Sequence, residues 1–70
     1  MKRQMEARII LTYRNDGVTE VSTYDPHSGR HHRTGLTAKT QSEIDKTVRQ
    51  LKEQFERAGN RVTVVERRGV

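Results

Sequence analysis

The sequence predicts a small α+β domain. One amphipathic helix covers one face of a small antiparallel sheet of three or four strands, in the order β-β-(β)-α-β. Three observations carry this expectation. Apolar residues recur at helical spacing over residues 41–58, alternate along residues 7–13, and form a β-branched run at residues 61–66. A lone amphipathic helix has to bury its stripe against something, and a small sheet is the partner at hand.

The first strand is expected at residues 7–13. Ala7, Ile9, Leu11 and Tyr13 share one face, while Arg8, Thr12 and Arg14 take the other. Asn15-Asp16-Gly17 follows, and Asn and Gly tolerate the positive φ of a tight hairpin. Residues 18–24, rich in Val, Thr and Tyr, form the second strand, with Thr19 and Thr23 assigned to the polar face. Asp25-Pro26-His27-Ser28-Gly29 is a second turn. Residues 30–37 are expected as a short polar third strand, with a loop as the alternative.

The helix stripe is Ile44, Val48, Leu51, Phe55 and Ala58. Thr40 caps it and Glu43 reaches back three residues in a capping box, while Gly59 and Asn60 suit its end. Asp45 with Arg49, and Glu53 with Arg57, are acid-before-base pairs at i,i+4. The stripe is too short for a sustained coiled coil. The last strand spans residues 61–66, with Val62 and Val64 inward and Arg61, Thr63 and Arg67 outward.

Composition narrows the function. Seventy residues form a single domain, expected to have flexible basic ends at about 1–6 and 67–70. Such a chain buries only about 60% of its unfolded surface. Only 30% of its residues are hydrophobic, so its core is thin. With no cysteine, disulfides, thiolate metal sites and thiol catalysis are excluded. Neither a signal-length nor a membrane-length apolar run is present, so the expectation is a soluble cytoplasmic protein.

The net charge is +5, and its distribution matters. Residues 41–60 set Lys46, Arg49, Lys52 and Arg57 against Glu43, Asp45, Glu53 and Glu56, which cancel. Arg30, Arg33 and Lys39 face only Asp25 within residues 25–40, and Arg61, Arg67 and Arg68 only Glu66 beyond residue 60. The excess lies outside the helix, which fits a polyanion partner; the plain alternative is a solvated surface. The sheet face away from the helix then offers Arg8, Arg14, Arg61 and Arg67, and the basic segment offers Arg30, His32, Arg33 and Lys39. These are the candidate nucleic-acid contacts, with duplex DNA favoured over RNA because aromatics for stacking are few and only Tyr24 is free for it.

His27, His31 and His32 cluster, but His31 and His32 point apart on a strand and only Asp25 is nearby, so no metal site and no cofactor is expected. An RNA-cleaving toxin using His31, His32, Arg33, Tyr24 and Lys39 is a minor alternative to a non-enzyme, because no diagnostic catalytic spacing is present. A further alternative is a protein-interaction or inhibitor module of phage or plasmid type, acting through an open sheet edge or as a homodimer.

Residues 18–52 also carry Tyr24-Asp25-Pro26-His27-Ser28-Gly29-Arg30, then Gly35-Leu36-Thr37, then a helix opening at Gln41-Ser42-Glu43. In this they resemble the arm-type DNA-binding domain at the N-terminus of phage integrases and other tyrosine recombinases. That resemblance implies a sheet that enters the major groove, with Arg30, His32 and Arg33 on the basic strand as contacts.

Overall fold

The computed structural model describes residues 5–68. Its elements are β1 (Glu6–Tyr13), β2 (Thr19–Asp25), β3 (Arg30–Ala38), α1 (Gln41–Arg57) and β4 (Arg61–Arg68). They form one four-stranded sheet in the order β3-β2-β1-β4 with the helix on one side, which is the α+β arrangement the patterning predicts. The sheet is antiparallel across β3, β2 and β1. β4 joins β1 in parallel, an addition to the expected antiparallel sheet. The reason is topological: after two hairpins β3 runs parallel to β1, and a helical crossover returns the chain in the direction of the strand it left.

The hairpins form where turn chemistry places them. At the first, the Arg14 amide donates to the Val18 carbonyl across the Asn15-Asp16-Gly17 turn. At the second, the Asp25 carboxylate accepts from the His27 amide and the Asp25 carbonyl from the Gly29 amide. Residues 30–37 are strand rather than loop. β3 breaks register once: Glu20 pairs with Thr37 and Ser22 with Arg33, so Thr34, Gly35 and Leu36 all oppose Val21. The Thr34 hydroxyl closes this bulge, donating to the Val21 carbonyl at 2.8 Å and accepting from the Leu36 amide at 3.1 Å. Gly35 sits there at φ 77°, where any Cβ is disfavoured.

The helix begins and ends close to its sequence signals. Thr40 Oγ1 accepts from the Glu43 amide at 3.2 Å. The reciprocal bond differs from a standard capping box: Glu43 accepts from the Lys39 amide, one residue before the cap. Ala58 is the exposed C-cap rather than part of the buried stripe, and Gly59 follows at φ 86°. Asp45 accepts a hydrogen bond from Gln41 rather than pairing with Arg49.

The core joins Ile9 and Leu11 of β1, Val21 of β2, Ala38 of β3 and Ile44 of α1. Tyr13, Val48, Leu51, Phe55 and Val62 pack around it, half-buried. This is the thin core the composition foretells. Thr19 and Thr23 lie in it too, at 4% and 7% exposure. Their assignment to the polar face is therefore wrong. Thr23 pairs with Ile9 and Thr19 with Tyr13, and partners across an antiparallel ladder share a face. The Asn-Asp-Gly hairpin sets that register, whatever the polarity of the residues it pairs.

Among the described residues no helix is long and apolar enough to cross a membrane. Met5 O accepts from the Arg61 amide, Glu6 belongs to β1, and β4 continues to Arg68, so Arg67 and Arg68 are strand residues. Parallel pairing with Thr12 and Tyr13 holds them. Lys2 and Arg3 lie outside the described residues.

Candidate nucleic-acid interface

The pairing registers determine which side chains share the face that the helix leaves open. Counting from the core residues, that face carries the even positions of β1 and β2 and the odd positions of β4. It is built as rows running across the strands. The first full row is Thr63, Arg8, Tyr24 and His31, in the order β4, β1, β2, β3. The next is Val65, Ile10, Ser22 and Arg33. The third is Arg67, Thr12, Glu20 and Thr37. Arg61 and Glu6 stand beside each other at the near end of β4 and β1.

The first row is in contact as well as aligned. The Arg8 guanidinium lies 5.6 Å from the centroid of the Tyr24 ring, within cation–π range. On the other side the His31 ring lies 4.9 Å from Tyr24, tilted by 49°. Arg8 and His31 are exposed and Tyr24 is half-buried between them, so three π-systems adjoin one another across three strands. In the second row Ile10 is only 5% exposed, although it belongs to no part of the helix-covered core. Its cross-strand partners on that face are Val65 and Ser22.

The sequence-predicted contacts divide. Arg8, Arg33, Arg61 and Arg67 lie on the open face and are exposed. Arg14, just past β1, reaches the same side, but its guanidinium is engaged by Asp16 at 2.8 Å and Glu20 at 3.2 Å. Its charge is largely spent within the protein. Arg8 makes only a loose pair with Glu6 at 3.8 Å, half exposed on both sides, which water screens to near nothing.

Arg30 and His32 are not with Arg33. They pair with Asp25 and Thr23, and so stand on the helix side of the sheet, exposed where α1 does not reach. Strand alternation thus separates Arg33 from Arg30 and His32, because Arg33 is the odd neighbour of two even positions. Lys39 lies past the end of β3, in the connection to α1, and is not on the face.

His31 is the residue that sequence reasoning left off the contact surface. A usable signal was present. The turn Pro26–Gly29 closes on the pair Asp25 and Arg30, and one step outward from it puts His31 opposite Tyr24. The same alternation sends His31 and His32 to opposite faces. Among the described residues no three His, Asp or Glu side chains converge as ion ligands.

On the helix side, Tyr13 donates its phenolic hydrogen to Glu66 at 3.1 Å. Desolvation, followed by that hydrogen bond and the charges of Glu66 and Asp45, raises the Tyr13 phenol above its ordinary value of 10.0. This pair braces β4 against β1 and has no part in the open face.

No protein-family model, no curated protein and no solved structure matches this chain.

Proposed function

We propose that this protein is a small nucleic-acid-binding module that uses its helix-free sheet face. The observation that carries the reading is the gathering of Arg8, Arg33, Arg61 and Arg67, from three different strands, on one uncovered surface. Against them, among the described residues of the strands, the same face holds only Glu6 and Glu20, and Glu20 is already held by Arg14. Thr12, Ser22, Thr37 and Thr63 sit between the arginines as further hydrogen-bond donors. Guanidinium and hydroxyl groups on a flat surface are the side chains that hold phosphate oxygens. Contacts led by the backbone make duplex DNA the first target to try.

The test is fluorescence anisotropy with a labelled mixed-sequence duplex and a labelled single strand, at low and at physiological salt. Binding that weakens steeply with salt supports the reading. No binding at low salt removes it.

A second reading rests on the two sheet edges. Leu36 on β3 is 45% exposed and Val64 on β4 is 42% exposed, and both strands are outermost in the sheet. An edge with uncovered apolar side chains can add a strand from a partner protein or a second copy. Sedimentation equilibrium over a wide concentration range tests the second-copy form. A monomer mass throughout eliminates it.

A further inference from the structure

We infer that the row Arg8–Tyr24–His31 is a stacking site for an unpaired nucleobase, which makes a single-stranded segment the preferred ligand of the open face. This rests on the nucleic-acid reading above and replaces its duplex preference with a preference for a single strand. Arginines scattered over a face hold phosphates of any strand, paired or not. A contiguous run of flat π-systems adds something a duplex cannot use, because paired bases present their edges and not their faces.

Three features of the row support this. Its members are spaced for contact with one another, at 5.6 Å and 4.9 Å, so the row is formed before any ligand arrives, with Tyr24 flanked on both sides and the exposed Arg8 and His31 left to meet a base. Guanidinium, phenol and imidazole all stack on bases, and the guanidinium adds a cation over the ring. The third feature is what lies one row away. Two residues along a strand span about 6.7 Å, comparable to one nucleotide of an unstacked strand. At that distance stand Ser22 and Arg33, which with Glu20, Thr37 and Leu36 line a cavity of about 100 Å³ beside the bulge. A base on the His31 end of the row thus places the neighbouring phosphate or sugar near a guanidinium and two hydroxyls, beside a Glu20 carboxylate that Arg14 already holds.

The arginines of the face outnumber its carboxylates, so a phosphodiester strand is drawn to it, and the stacking row then favours the unpaired form. Base identity plays a small part, because stacking is tolerant of sequence.

The test compares wild type with Tyr24→Leu, Tyr24→Phe and His31→Ala. The probes are labelled oligothymidine, labelled oligouridine and a labelled mixed-sequence duplex, each titrated at several salt concentrations. The inference expects wild type to favour a single strand over the duplex. Tyr24→Leu should weaken single-strand binding by roughly 5- to 150-fold, the range of one lost stacking contact. Its salt slope should stay at the wild-type value, because no phosphate contact is lost. Tyr24→Phe should retain most of the affinity. His31→Ala, a change at an exposed edge position, should weaken single-strand binding in the same direction whether or not Tyr24→Leu folds.

The oligothymidine and oligouridine arms show whether the strand is DNA or RNA, and preference for either supports the site. A wild type that prefers the duplex overturns the inference while leaving the proposed function standing. So does a Tyr24→Leu or His31→Ala protein that is folded by circular dichroism and binds single strand as wild type does. Failure of wild type to bind any probe at low salt removes the nucleic-acid reading and the stacking site with it.

Discussion

Removing arginines from the open face should flatten the salt dependence of binding in proportion to the number removed. Arg8, Arg33, Arg61 and Arg67 are exposed on that face, whereas Arg14 is held by Asp16 and Glu20. If each of the exposed arginines neutralises one phosphate of a duplex, log K should fall against log salt with a slope of about −3.6. Between 50 and 200 mM salt the affinity should then drop roughly 150-fold. The double substitution Arg33→Ala with Arg67→Ala removes half of the contacts. Its slope should be about −1.8, and its drop over the same range roughly 12-fold.

Arg49→Ala with Lys52→Ala, on the exposed side of α1, removes the same formal charge from the other side of the molecule. Its slope should match wild type, because distant charge shifts the potential without releasing counterions from a contact. The assay is anisotropy over a salt series with each protein at matched pH. A helix double variant that flattens the slope as much as the sheet variant would refute the placement of the interface. A sheet variant that keeps the full slope would refute it equally.

Other expectations follow from the core and the caps. Ile9 is fully buried at the centre of the core, so Ile9→Ala should cost about 2–5 kcal/mol, a large part of a small domain's stability, read as a lowered urea midpoint. Thr40→Ala removes the hydroxyl that accepts from the Glu43 amide and should cost about 0.5–2 kcal/mol by the same measurement. Gly35→Ala places a Cβ at φ 77° in open space, so its cost is backbone strain alone, about 1–2 kcal/mol, with no change in the denaturant slope. Tyr13 should ionise above 10.0 in the folded protein. Since its folded value is raised, its contribution to stability is complete below pH 10 and lost as pH rises through the folded value. Tyr13→Phe should therefore lessen the alkaline loss of stability, and absorbance titration against that variant should isolate a late-titrating phenol.

Local pattern alone determined much of this protein. The helix stripe from Ile44 to Phe55, the Thr40 cap, both hairpin turns and the apolar face of β1 are short-range features, and each is set by residues within a few positions of one another. The surplus of positive charge outside the helix is equally a property of the sequence. What tertiary structure decided is which side chains share a surface. Thr19 and Thr23 are polar by type yet buried, because the hairpin register pairs them with Tyr13 and Ile9. Arg30 and Arg33 are three residues apart on one strand and face opposite ways. Arg61 and Arg67 join Arg8 only because the helical crossover returns β4 parallel to β1, more than fifty residues along the chain. Tyr24 became a member of a row, rather than an isolated aromatic, through its neighbours on β1 and β3. Composition and periodicity describe each strand by itself. A surface built across strands depends on register, and register is settled by the turns and the packing of the whole sheet.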